Sequence, residues 1–225
     1  MKLELHVRSF FSRRFFFGSH IPLRQETGFF RQRGWWFSAD RACFPVLPSC
    51  HLRPAVRNLF SYTSGFSTVA ALSGAREVCT VDVSANFIEW SKNNFQLNGL
   101  DPEAENHEFW VQDCILFLKG TIRRKRKFGL IVCDPPSFGR SKSGVFSISK
   151  NFDELLINCM YCLQKDGLLL FCTNYEKWTT GDLHLRLNKL KREFSFKILP
   201  APAQGMDFEL PDQEPLMKSI ILRKN

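Results

Sequence analysis

Phe128-Gly129-Leu130-Ile131-Val132-Cys133-Asp134-Pro135-Pro136-Ser137-Phe138 joins an unbroken apolar run to a carboxylate, two prolines and an aromatic ring. Apolar residues without alternation predict a strand buried on both faces, as in a parallel sheet. Proline cannot donate to a ladder, so the strand ends at Cys133 and leaves Asp134 at its carboxyl end. In an open α/β sheet that rim is where ligands bind. The loop offers a charged acceptor at Asp134, carbonyls freed from sheet pairing at Pro135 and Pro136, and a ring at Phe138. Such a set suits a planar amino-bearing group such as a nucleobase. An ordinary proline-terminated turn would look the same, so the rest of the chain has to decide.

Outward from this strand, helix and strand patterns alternate. Strands are expected at Val56–Phe60, Glu77–Val81, Glu108–Val111, Phe128–Cys133 and Gly167–Cys172, then at about Ser195–Leu199 and Leu216–Arg223. Helices are expected at Ser64–Ser73, Ala85–Leu97 (closed by Asn98-Gly99), Ile115–Ile122, Asn151–Gln164 and Gly181–Phe194. This alternation predicts a doubly wound α/β fold with a mainly parallel sheet and helices on both faces. Residues 1–53 lack that rhythm and read as a short, basic, aromatic extension of irregular strands and loops, leaving 54–225 as the main domain.

The chain of 225 residues is 44% hydrophobic, enough for a full core. No stretch approaches the ~18 consecutive apolar residues of a membrane span, and no signal peptide is evident. Eight cysteines, mostly within apolar runs as at Cys79, Cys133 and Cys172, behave as small core residues of a reducing compartment, so a cytoplasmic location is expected. Cys159 and Cys162 have CxxC spacing but fall on the apolar stripe Phe152, Leu155, Leu156, Cys159, Met160, Leu163. Core packing is expected there, and no metal.

The net charge of +9 is uneven: residues 1–53 hold nine Lys/Arg against three Asp/Glu. Arginine interleaved with aromatics, as in Phe29-Phe30-Arg31-Gln32-Arg33-Gly34-Trp35-Trp36, suits nucleic acid, because guanidinium meets phosphate and rings stack on bases. A small β subdomain with solvated arginines would carry the same pattern. The run Arg123-Arg124-Lys125-Arg126-Lys127 precedes the Asp134 strand, so it belongs at the opposite rim as a solvated turn.

The other strand ends are also polar. After the first strand, Phe60-Ser61-Tyr62-Thr63-Ser64-Gly65 is a small-residue turn opening a helix, where backbone can approach a ligand and the helix terminus favours a negative group. The second strand ends in Asp82, able to accept both hydroxyls of a ribose, and the third near Asp113, a suitable acceptor for an adenine amino group. Asp and Ser also cap helices, so each feature alone is weak. Successive acidic strand ends together with the Pro-Pro loop are harder to assign to chance.

Asn58-Leu59-Phe60-Ser61-Tyr62-Thr63, Thr80-Val81-Asp82-Val83-Ser84, Asn94-Phe95-Gln96-Leu97-Asn98-Gly99-Leu100, Gln112-Asp113 and Asp134-Pro135-Pro136-Ser137-Phe138-Gly139 resemble, in order, the motifs of class I S-adenosylmethionine-dependent methyltransferases. The similarity is to the family of bacterial large-subunit ribosomal RNA methyltransferases and spans roughly residues 26 to 224. It implies a seven-stranded sheet with an antiparallel last strand, S-adenosylmethionine as cofactor and RNA, ribosomal RNA above all, as substrate. By the same resemblance Phe60, Ser61, Tyr62, Thr63 and Gly65 would line the methionine part of the cofactor. Asp82 with Val83 and Ser84 would hold the ribose, Asp113 with Cys114 the adenine, and Asp134, Pro135, Pro136 and Phe138 the acceptor base, Asp134 also bordering the cofactor. The chain departs from the pattern at Ser64, where glycine is usual and a side chain would crowd the ligand unless φ is negative. It departs again at Arg57, in a strand that is usually apolar, and at Arg31-Gln32-Arg33-Gly34.

Methyl transfer is an in-line displacement, so positioning the nucleophile is the main task. The expected acceptor is a base nitrogen, a purine being preferred. Transfer to cytosine carbon 5 would need a cysteine nucleophile, and Asn174 stands where the relative that makes 5-methylcytosine has one. A non-catalytic RNA-binding scaffold on the same fold is the other alternative. A nicotinamide-dependent dehydrogenase would require a glycine fingerprint that the chain lacks. Neutralising Arg31 and Arg33 is expected to weaken RNA binding and to flatten its log-log salt dependence by about one unit for each phosphate no longer engaged, read by titration at several salt concentrations. An unaltered slope would move the RNA surface elsewhere.

Overall fold

The computed structural model describes residues 53–141, 144–200 and 217–225. Through them run β1 (Ala55–Leu59), α1 (Gly65–Leu72), β2 (Glu77–Asp82), α2 (Ala85–Leu97), β3 (His107–Val111), α3 (Cys114–Arg123), β4 (Phe128–Cys133), the hairpin β5 (Phe138–Ser141) and β6 (Gly144–Ser147), α4 (Ile148–Cys162), β7 (Leu163–Thr173), α5 (Thr180–Leu190), β8 (Phe196–Leu199) and β9 (Lys218–Lys224). Seven strands form one sheet in the order β3-β2-β1-β4-β7-β9-β8. Pairing is parallel from β3 across to β7, and β9 runs antiparallel to both its neighbours. This is the mainly parallel, doubly wound sheet expected from the alternation. The basic extension falls almost wholly outside the described residues.

Side chains alternate across the sheet and so build two cores. Val56, Val78, Leu130, Val132, Leu168 and Leu170 pack with Phe66 and Ala70 of α1 and Phe95 of α2. Leu59, Val81, Ile131, Leu169 and Phe171 face α3, α4 and α5 on the other side. On α4, Phe152, Leu155, Leu156, Cys159 and Met160 are buried at the spacing of a single helix face, which accounts for the CxxC pair as core. Among the described residues no group of His, Cys, Asp and Glu could hold a metal, and no helix is long and apolar enough to cross a membrane.

Most boundaries shift by a residue or a few, and some features differ from expectation for local reasons. β7 starts at Leu163 rather than Gly167, because Leu163 already pairs with Phe128 before a register irregularity. Gly167 fits that pairing closely: an added Cβ would lie 3.0 Å from the Gln164 carbonyl and 3.1 Å from that of Phe128. α5 starts one residue early behind a capping box, in which the Thr179 hydroxyl accepts from Asp182 N and the Asp182 carboxylate from Thr179 N. The β5–β6 hairpin leaves no mark in the sequence pattern, since its four-residue strands are too short to show a period.

Arg57 is fully buried, and its place on β1 explains how. Its guanidinium lies between the rings of Phe117 (4.2 Å) and Phe128 (3.7 Å), and Nη1 donates to the Thr121 hydroxyl at 2.7 Å. Nε and Nη2 have no partner among the described residues, and burial lowers the arginine's pKa from its ordinary value. The basic run 123–127 does sit at the rim opposite Asp134, but it is not simply solvated. Arg126 pairs with Glu77 and, at 2.8 Å, with Glu108, tying the starts of β2 and β3 to the turn before β4. Against the desolvation that would raise it, the hydrogen bonds from Arg126 and Trp110 hold the Glu108 carboxyl down to about 2. Thr121→Val removes the one acceptor Arg57 has among the described residues and strands a buried cation. It is expected to destabilise the fold by roughly 1–3 kcal/mol in urea unfolding, while Thr121→Ser keeps most of the stability.

Candidate active site

The strand order sets β3, β2, β1 and β4 side by side, with Asp113, Asp82, the loop Phe60–Ser64 and Asp134 at their carboxyl ends. At ~4.8 Å between neighbouring strands this row is about 14 Å long. All the residues assigned to the site from sequence therefore share one rim.

The loop after β1 is held in an unusual shape. Phe60, Tyr62 and Ser64 have φ of 55°, 50° and 67°, so every second residue is left-handed without being glycine. Each costs roughly 1–3 kcal/mol and persists only where its surroundings fix it. The fixing contacts are specific. Phe60 N donates to Cys114 Sγ (3.2 Å), Ser61 N to the Val81 carbonyl (3.1 Å) and Tyr62 N to Asp82 Oδ2 (3.0 Å). From α2, Ser91 Oγ donates to the Tyr62 carbonyl (3.2 Å) and Asn94 Nδ2 to the Thr63 carbonyl (2.8 Å). The φ of Ser64 is positive, yet its hydroxyl turns toward Ser91 and is buried, so the backbone carries the cost of the missing glycine. The Ser61 hydroxyl is buried at this loop with no partner among the described residues.

Asp82 is almost fully buried, with Oδ2 accepting from Tyr62 N and Oδ1 from Ser84 N at 2.9 Å. Burial pushes its pKa up, while backbone N–H groups of Ser84, Tyr62 and Val83 pull it down. A carboxylate has about four lone-pair sites, so Asp82 keeps capacity for a further donor. Val83 beside it is an exposed apolar side chain, and the Ser84 hydroxyl caps α2. Asp113 caps α3: its Oδ1 accepts from Ile115 N and Leu116 N, both at 3.0 Å, and Oδ2 bonds to no described residue. The Cys114 thiol is buried and accepts from Phe60 N, so it is engaged within the protein.

At β4, burial pushes the Asp134 carboxyl up to about 7, with no described side chain or N–H to offset it. Pro135 is buried and Pro136 exposed, and the Ser137 hydroxyl donates to Asn174 Oδ1 (3.2 Å), joining this loop to the end of β7. The Phe138 ring is 56% exposed. Sequence reasoning missed Ser91, and met Asn94 within a motif without assigning it a role at the loop. Polar residues at i and i+3 on the buried face of an otherwise apolar-faced helix were the available signal.

A family model for S-adenosylmethionine-dependent methyltransferases matches residues 49–215. The chain belongs to this family. Among curated methyltransferases, it is 39% identical over 128 residues to the ribosomal RNA large subunit methyltransferase K of Neisseria meningitidis, covering 56% of this chain and 36% of that one. It is 31% identical over 171 residues to the ribosomal RNA large subunit methyltransferase K/L of Psychrobacter arcticus, covering 75% and 21%. Among solved methyltransferases, one in complex with SAH superposes with a TM-score of 0.70 at 29% identity, covering 76% of this chain and 45% of its own. The chain thus spans under half the length of these relatives.

Asp134 gives this site a pH signature. Its raised pKa means that between about pH 4 and 7 the folded chain holds a proton the unfolded chain has lost, so stability falls as pH rises through that window and levels off above it. Asp134→Asn is expected to remove that decline and to be more stable than the parent at about pH 8, as measured by urea unfolding across pH.

Proposed function

We propose that the rim is the active site of an S-adenosylmethionine-dependent methyltransferase acting on RNA, ribosomal RNA being the substrate named for the relatives, with a base nitrogen as acceptor. The observation that carries the reading is the row of acceptors on adjacent strands, Asp113, Asp82 and Asp134, around a strained loop with an unpartnered buried hydroxyl at Ser61. These residues fit the cofactor chemically. Asp82 has lone pairs left for ribose hydroxyls, the free oxygen of Asp113 suits an exocyclic amine, and Val83 offers an apolar surface for a purine ring. The loop Phe60–Gly65 would hold the amino-acid end, with Ser61 donating to it. When bound, S-adenosylmethionine supplies an electrophilic methyl group on a sulfonium.

The chain's own task is positioning. Asp134 and the carbonyl of Pro135 accept from the edge of the base, and Phe138 stacks on its face, so the nucleophilic nitrogen is oriented for in-line attack. A desolvated carboxyl near pKa 7 also accepts a proton from an exocyclic nitrogen more readily than an ordinary one. Support for nitrogen over carbon 5 comes from the thiols. Cys133 and Cys172, on the two strands flanking the loop, are buried and pushed well above the ordinary thiol range by desolvation, and the residue past β7 is Asn174. Carbon-5 transfer would need an accessible thiolate. The basic segment 1–53 is proposed as a further RNA contact.

Two variants separate binding from chemistry. Asp82→Ala is expected to weaken S-adenosylmethionine binding by roughly 1.5–3 kcal/mol in calorimetry. Asp134→Ala is expected to leave that affinity nearly intact while single-turnover transfer of labelled methyl to RNA falls on the order of a hundredfold. Unchanged affinity in the first rejects the ribose role, retained transfer in the second rejects the base role, and cofactor binding without any transfer favours the scaffold.

A further inference from the structure

The β5–β6 hairpin stands apart from the seven-stranded sheet, its strands pairing among the described residues only with each other. Residues directly opposite on antiparallel strands share a face. The register Phe138↔Ser147, Gly139↔Phe146, Arg140↔Val145 therefore sorts its side chains into two sets. Gly139 and Phe146 turn inward: the Phe146 ring lies 5.1 Å from that of Phe60, and a Cβ on Gly139 would lie 3.7 Å from Pro136 Cγ. Phe138, Arg140, Val145 and Ser147 turn outward. Val145 is 61% exposed, as open as Phe138, and the Arg140 guanidinium, also exposed, lies 5.7 Å from the Phe138 ring. From Phe138 to Ser147 the sequence contains Arg140 and Lys142 and no Asp or Glu.

We propose that this outer face is the track on which the RNA strand flanking the acceptor nucleotide lies, with Arg140 on a phosphate and Val145 under a neighbouring base or ribose. The proposal rests on the reading of the rim as an RNA methyltransferase site and adds a surface for the polymer beyond the reacting base. Charge and chemistry choose the occupant. A guanidinium beside exposed apolar side chains, on a hairpin whose sequence holds no carboxylate, matches what single-stranded nucleic acid needs: a cation for the backbone and flat apolar surface for the rings. Continuity points the same way, since β5 begins four residues past Asp134. Two residues of strand cover about 7 Å, so Arg140 lies about one nucleotide's reach beyond Phe138. A protein partner would need a far larger patch, about 800 Å² on each side, than a hairpin with two exposed apolar side chains offers.

The test uses the full chain and large-subunit ribosomal RNA from cells lacking the gene. Arg140→Ala is expected to raise KM for RNA severalfold with kcat and S-adenosylmethionine affinity nearly unchanged, and to reduce the log-log salt slope of RNA binding by about one. Val145 replaced by a photo-crosslinking phenylalanine analogue should attach to a nucleotide next to the methylated one. An unchanged salt slope in Arg140→Ala overturns the proposal, as does a crosslink that yields no RNA adduct or only a protein one, provided the parent chain methylates the RNA. If the parent chain transfers no methyl group to RNA, the reading of the rim fails first and the track falls with it.

Discussion

The hydrogen bond from Tyr62 N to Asp82 Oδ2 joins the ends of β1 and β2, and the site depends on it. It pins the middle of a loop whose alternate residues are left-handed, and the same carboxylate turns the chain into α2 through Ser84 N. Asp82 therefore serves the fold and the proposed ligand at once. Each hydrogen bond to an ionised group is worth roughly 1.5–3 kcal/mol, enough to offset one strained residue. Ser91 and Asn94 supply the remainder from α2, and Cys114 from α3. The strained conformation is held from three elements, which leaves the loop rigid before any ligand arrives.

Much of this was legible in the sequence because parallel strands and amphipathic helices write their burial as pattern. The apolar run Phe128–Cys133 matched its strand to the residue, as did Ala85–Leu97 its helix, which is bounded by a serine cap and Asn98-Gly99. Acidic strand ends were visible because β4 is wholly apolar, Val78, Cys79 and Val81 give β2 an apolar run before Asp82, and β3 ends two residues before Asp113. What stayed hidden depends on contacts across space. Nothing near Arg57 in the sequence indicates that Phe117, Thr121 and Phe128 would enclose it. The partners of Arg126, Glu77 and Glu108, lie 49 and 18 residues away, so its run looked like an ordinary solvated turn. The β5–β6 hairpin was too short to show alternation, and the backbone sign at Ser64 is set by its neighbours rather than by serine itself.

The two rims divide the labour of the sheet. At the amino end, Arg126 with Glu77 and Glu108 and the buried Arg57 place charge where it binds strands together. At the carboxyl end, Asp82, Asp113 and Asp134 place charge where it is only partly satisfied from within the protein. Charges that meet opposite charges within the protein contribute to architecture, and carboxylates left with spare lone pairs contribute to recognition.

The reversed strand β9 also orders assembly in time. β1, β2, β3 and β4 lie within eighty residues of one another and can pair as the nascent chain lengthens, bringing the row of carboxylates together early. β8 cannot join the sheet on its own, because β9 lies between it and β7 and is the later of the two to be made. The far edge of the sheet thus closes last, through pairings that bridge some fifty residues, and such long loops are the slow part of folding. Until residues 218–224 emerge, β7 presents an unpaired apolar edge, the kind of surface on which nascent chains associate wrongly and chaperones act.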